Sequence, residues 1–109
     1  MKSYTDFEQS KKLTEILPLE SSDMSWVFNG LGKPFARTIP IKGDPEELYA
    51  CWSLTALLDV LPDNCGISKE DGKYAASYVT PNGWGTYTND NPVDACVTII
   101  EKLHELNLL

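Results

Sequence analysis

The sequence predicts an α+β fold: one antiparallel sheet of about five strands with helices packed on one face, in the order α-β-β-α-β-β-β-α. Three observations carry this. The run "GISKEDGKYAASYVT" (66–80) alternates with the period of two that strands show. The links between strand-like runs are of hairpin length, whereas parallel neighbours would need crossovers of roughly a dozen residues or more. The stretch 92–106 carries an apolar stripe of helical period, which must be buried against a second layer.

The first helix opens at Thr5, with Glu8 at capping-box spacing. Leu13, Ile16 and Leu17 then share one face, Glu8, Lys11, Lys12 and Glu15 fall on the other, and Pro18 ends the helix. "SWVFNGLGKPFARTIPI" (25–41) holds two apolar or β-branched runs around an Asn-Gly and a Gly-Lys-Pro segment, and predicts strands at 25–28 and 35–41. Pro40 places the second strand at an edge or ends it.

Residues 44–52 support two readings. Asp44, Pro45, Glu46 and Glu47 have the order of a helix start, which would put Leu48, Cys51, Trp52 and Thr55 on one stripe. Leu54, Leu57, Leu58 and Leu61 form a cleaner stripe rotated by roughly a quarter turn, and one helix cannot centre both. The favoured reading is a turn at 44–47, an irregular or extended stretch to Trp52, and a helix capped by Ser53 and stopped at Pro62.

Further on, Asp71 and Gly72 mark a turn between two strands. Tyr74, Ala76, Tyr78 and Thr80 share one face of the second strand, and Ala75, Ser77 and Val79 the other. "PNG" reverses the chain again into 84–88, completing a three-strand meander. In the last helix Asn91 is the cap, Pro92 the first residue and Asp94 the third, where a carboxylate meets unpaired N–H groups. Val93, Cys96, Val97, Ile99, Ile100, Leu103 and Leu106 cover about half of its circumference.

The 109 residues are read as a single domain, 1–109, and 42% hydrophobic content argues against disorder. No run approaches the ~18 apolar residues of a membrane span, and "MKSYTDFEQSKKL" holds no apolar signal region. Three cysteines without tight spacing fit a reducing compartment, so the expectation is a soluble cytoplasmic protein. The net charge of −7 is uneven. Residues 1–43 carry six basic and five acidic side chains, and residues 44–109 carry three basic and eleven acidic ones. Lys11 and Lys12 alone hint at the clustered basic side chains of a nucleic-acid surface. The expected partner is therefore neither nucleic acid nor membrane. The acidic half is a well-solvated surface or a face for a protein with a basic surface.

Catalytic and metal signatures are not visible. Cys51, Cys65, Cys96 and His104 lack zinc-site spacing, and neither a metal nor a cofactor is expected. His104 reads as a boundary residue near a helix C-terminus, and no nucleophile signature surrounds Cys51 or Cys65. The carboxylate pairs Glu46/Glu47, Glu70/Asp71 and Asp90/Asp94 each have a local role at a helix start, turn or cap. The glycines form no phosphate loop or dinucleotide fingerprint. An enzyme is not expected.

The aromatics remain. Trp84, set between Gly83 and Gly85, together with Tyr87 and Trp26, supplies the candidate binding residues. For Trp84 the first reading is structural, with Trp84 and Tyr87 packed as cross-strand partners of Tyr78 and Tyr74, and the binding role comes second. The expected function is a small non-enzymatic interaction module that binds another protein. The alternative is a small-molecule or glycan-binding domain using exposed aromatics.

Three blocks, "YTDFEQSKKLTEILPLESSDM" (4–24), "CWSLTALLDVLP" (51–62) and "DNPVDACVTIIEKLHELNLL" (90–109), resemble a family of short uncharacterised proteins encoded by gut bacteria of the Bacteroides type and by their mobile elements. The blocks cover about half of the chain and coincide with the three expected helices. The resemblance implies a shared helical layer beneath a sheet edge that varies between members, including "PNGWGTY". Variable loops on a fixed scaffold are where binding specificity concentrates. It implies no activity, ligand or catalytic residue. Independently of the resemblance, the acidic second half, the aromatic hairpin region and the lack of catalytic signatures fit an accessory or inhibitor protein of a phage or mobile element.

Overall fold

Two antiparallel sheets of three strands each take the place of the single five-stranded sheet expected, while the α+β class holds. The computed structural model describes residues 2–28, 30 and 32–109. Its helices are α1 (Phe7–Ile16), α2 (Leu54–Val60) and α3 (Pro92–Glu105). A 3-10 turn, Leu19–Ser21, follows α1. The strands are β1 (Met24–Val27), β2 (Phe35–Arg37), β3 (Glu47–Cys51), β4 (Cys65–Glu70), β5 (Lys73–Thr80) and β6 (Gly83–Asn89). The first sheet has the order β2-β1-β3 and the second β4-β5-β6.

The additional strand is β3, which lies in the stretch with two readings. Glu47 decides the matter. Its carboxylate accepts the backbone N–H groups of Lys42 (2.8 Å) and Asp44 (2.7 Å), so Asp44 serves the turn and does not cap a helix. The chain leaves that turn extended and pairs with β1, Trp26 facing Tyr49 and Met24 facing Cys51. Ser53 then caps α2 by accepting the Ala56 N–H, and its own N–H bonds Asp23.

Three boundaries move for physical reasons. The box at the start of α1 is made by Asp6 and Gln9, one residue later than Thr5 and Glu8. Thr5 is instead fully buried, its hydroxyl bonded to Ser10 and accepting the Trp52 N–H. The strand expected at 35–41 stops at Arg37, and beyond it the Ser25 hydroxyl donates to the Ile39 carbonyl. The expected strand 25–28 is 24–27, and part of the Asn29-Gly30 reversal lies outside the described residues.

Helix α3 ties the molecule together because it is buried on two faces. Val93, Cys96, Val97 and Ile100 pack with Leu13 of α1, Leu17 just beyond its end, Leu57 of α2, and Trp52. Ala95, Ile99 and Leu103 pack with Ala76 and Tyr78 of β5. Trp52 is fully buried and its indole N–H donates to the Ser21 hydroxyl at 3.0 Å. Lys2 joins the two helix starts, its ammonium lying 2.8 Å from both Asp6 and Asp94. Among the described residues no helix is long and apolar enough to cross a membrane.

Candidate functional site

The β5–β6 hairpin builds the most exposed aromatic position. Pro81 and Asn82 form a two-residue turn between Thr80 and Gly83, and the Thr80 hydroxyl braces it by accepting the Asn82 N–H and donating to the Gly83 carbonyl. This turn sets the register for the whole pair. Trp84 lies opposite Val79, Gly85 opposite Tyr78, Tyr87 opposite Ala76 and Asn89 opposite Tyr74. The pairing of Trp84 with Tyr78 and of Tyr87 with Tyr74 therefore does not form.

Alternation then assigns the faces. Tyr74, Ala76, Tyr78, Gly85 and Tyr87 belong to the face that packs on α3, while Ala75, Ser77, Val79, Trp84, Thr86 and Thr88 belong to the outer face. Gly85 answers why the tryptophan has glycine neighbours: a Cβ there would stand 2.5 Å from the Tyr78 ring. The ring occupies the space that any side chain at 85 would need, so the glycine is a packing residue. Trp84 is left 74% exposed beside Val79, itself 61% exposed. Behind them the Ser77 and Thr86 hydroxyls bond each other at 3.1 Å. At the hairpin tip Tyr78, Thr80, Asn82, Trp84, Leu106 and Leu108 line an open cleft of about 340 Å³.

The structure does not bring the three candidate aromatics together. Tyr87 is partly buried on the α3 side of β6. Trp26 belongs to the other sheet, where its indole N–H donates to the Ser10 hydroxyl at 2.9 Å and its ring meets Tyr4 and Phe7 edge-on. That geometry is a structural cluster, extended to Tyr49 through Phe7, although Trp26 also lines a shallow cleft with Lys2, Tyr4 and Asp6.

The titratable groups are arranged for structure. Burial pushes the Cys96 thiol up to about 12 and also raises Cys51 and Cys65, so the thiols are held protonated. His104 is exposed on the last turn of α3, in a surface cleft with Lys12, Glu15, Glu101 and Glu105. Among the described residues no three His, Cys, Asp or Glu side chains form a group that could hold a metal. Burial alone would raise the Glu47 carboxyl, but the N–H groups of Lys42, Asp44 and Gly43 and the Arg37 guanidinium outweigh it and hold it below the ordinary value. The same balance holds at the helix starts. Burial opposes the charges, yet Lys2 lowers Asp6 and Asp94 and is itself raised by them.

No family model matches the chain, and no curated protein or solved structure is similar to it. The site must therefore be read from its own geometry. Val79, Thr86 and Leu106 are surface neighbours of Trp84 that no motif in the sequence marks. A two-residue "PN" turn sets Trp84 opposite Val79 by counting alone and places Thr86 on the same face, whereas Leu106 reaches the cleft only through the tertiary packing of α3.

Proposed function

We propose that this protein is a small non-enzymatic binding module that holds another protein on the outer face of its second sheet, with Trp84 as the anchor. One observation carries the reading: a tryptophan 74% exposed stands on a strand whose opposite face is committed to the core. A side chain of that size on a rigid strand offers large contact area at little conformational cost. The Val79 side chain extends the apolar spot, and the Ser77 and Thr86 hydroxyls supply hydrogen-bonding groups beside it. The excess of eleven acidic over three basic side chains in 44–109 favours a partner with a basic surface. The proposed setting is the cytoplasm, as an accessory or inhibitor protein, a role that the acidic second half and the exposed aromatic hairpin support.

Affinity capture from a native lysate at low and high salt, beside a Trp84→Ala control, tests this reading. The expected result is a stoichiometric protein retained by the wild type, weakened by salt, and lost by a variant whose melting temperature is unchanged. Equal loss of melting temperature and binding in Trp84→Ala would count against it. The cleft at the hairpin tip favours a second reading, a glycan or small-molecule site between Trp84 and Leu106. Quenching of tryptophan fluorescence by a sugar or nucleotide, abolished in Trp84→Ala, would select it.

A further inference from the structure

The four sheet edges differ in how they are protected. Strand β2 has three residues, contains Arg37 and is flanked by Pro34 and Pro40. Strand β3 has α1 lying against it, and beyond its end the N-terminal segment continues the pairing through Thr5 N–H to Trp52 O at 2.9 Å. Strand β4 ends in the charged pair Lys69 and Glu70. These are the devices by which proteins keep edges from pairing with other chains. Strand β6 has a helix, α3, against its inner face but no charge, proline or paired segment along its edge. Its seven residues, "GWGTYTN", hold no charge and no proline, and its register with β5 runs without a bulge. Among the described residues, β5 and α3 are the elements that pack closely on it.

The backbone direction of this edge follows from one bond. Val79 N–H donates to Asn64 O at 3.2 Å, so Val79 turns its backbone groups toward the β4 side and away from Trp84. Trp84 is therefore opposite Val79 in a non-hydrogen-bonded pair, and the alternation of the ladder carries this along the strand. The backbone groups of Gly85, Tyr87 and Asn89 face β5. Those of Trp84, Thr86 and Thr88 face the open edge.

We infer that this edge pairs with the same strand of a second copy, antiparallel and centred on Thr86, to give a two-fold dimer with one continuous six-stranded sheet. The three outward residues are symmetric about Thr86, so a register centred there pairs the full length of Gly83–Asn89. Thr86 then meets Thr86 of the partner subunit, and Trp84 meets Thr88 of the partner subunit. Each outward residue gives and accepts one backbone bond. The partner's Asn82 falls opposite Asp90, whose carboxylate is already paired with Lys73, so no like charges meet. For a chain of net charge −7, an uncharged edge is where a second copy approaches at least electrostatic cost. A six-stranded sheet would also carry two Trp84 side chains on one outer face, although the dimer does not depend on Trp84 being a binding residue.

A single strand pair buries less than the roughly 1,200 Å² of a standard interface, so the dimer is expected to be reversible at micromolar concentrations. Sedimentation of the full chain over a concentration series, with amide exchange by nuclear magnetic resonance at its two ends, tests the inference. In the dimer, the amides of Trp84, Thr86 and Thr88 should exchange at least tenfold more slowly than in the monomer, with Gly85 and Tyr87 protected in both. Thr86→Pro removes an outward N–H, the position at which an edge strand tolerates proline. It should raise the dissociation constant by roughly tenfold or more. Should that variant fold poorly, Thr86→Lys and Thr86→Glu provide a second route. Each alone should weaken the dimer by about fivefold through like charges at the axis, and an equal mixture should restore it. A wild type that remains monomeric throughout the series overturns the inference. So does a dimer indifferent to all three substitutions, or one whose Trp84, Thr86 and Thr88 amides exchange as in the monomer.

Discussion

Two residues show how much a single position decides. At Gly85 the Tyr78 ring fills the volume of a would-be Cβ, and the ring belongs to the α3-facing core. Gly85→Ala is expected to destabilise by about 1–3 kcal/mol through overpacking, read as a lower urea midpoint with unchanged slope. Trp84→Ala on the same strand should stay within about 0.5 kcal/mol of wild type, because most of that side chain is exposed. Glu47 is the second case, its side chain 1% exposed and bonded to Arg37 at 2.9 Å. Its folded carboxyl is held below the unfolded value, so its contribution to stability is complete above that value. The contribution is lost as pH falls from about 4 through the folded value. Lys2 runs the other way: raised when folded, it contributes below its unfolded value and loses that contribution as pH climbs through the folded one. Denaturation of Glu47→Gln across the acid range should show a shallower fall in stability than wild type.

The helix ends and the hairpin turn are the best-determined elements. Asn91 accepts the Asp94 N–H at 2.9 Å, Pro92 opens α3, and Asp94 also takes Gln9 and Lys2. Asn91→Ala is expected to cost about 1 kcal/mol, checked by chemical denaturation. These local signals were legible because capping depends on residues within one turn of each other. The start of α1 was displaced by one residue because Thr5 and Asp6 are both acceptable caps. Burial of Thr5 against Ser10 and Trp52 left the role to Asp6. The β5–β6 meander was read correctly in outline, but its pairs were misassigned. A two-residue turn moves every partner relative to a longer one, and Tyr78 then falls opposite Gly85.

At the scale of the molecule, α3 packs into both hydrophobic clusters, so the two sheets are expected to unfold as one cooperative unit. The Ile100 side of the helix packs with α1 and α2, and its Ile99 side with the second sheet. Ile99→Ala and Ile100→Ala should each cost about 2–5 kcal/mol. Unfolding followed by Trp52 fluorescence and by far-ultraviolet circular dichroism should remain one coincident transition in both variants. Loss of coincidence in either would show that the sheets unfold separately.

Sequence alone determined the α+β class, the three helices with the caps of the second and third, the Asp71-Gly72 and Pro81-Asn82 reversals, and which residues of β5 share a face. Each depends on propensity, period or spacing over a few neighbours. Tertiary structure decided that Glu47 gathers the 42–44 turn and releases β3 as a strand, and that β3 joins β1 in a separate sheet. It also decided that Trp26 bonds Ser10 in a structural cluster while Trp84 stays exposed. Those outcomes rest on contacts between residues distant in the chain. A local pattern records which side chains are apolar, but not which surface arrives to cover them.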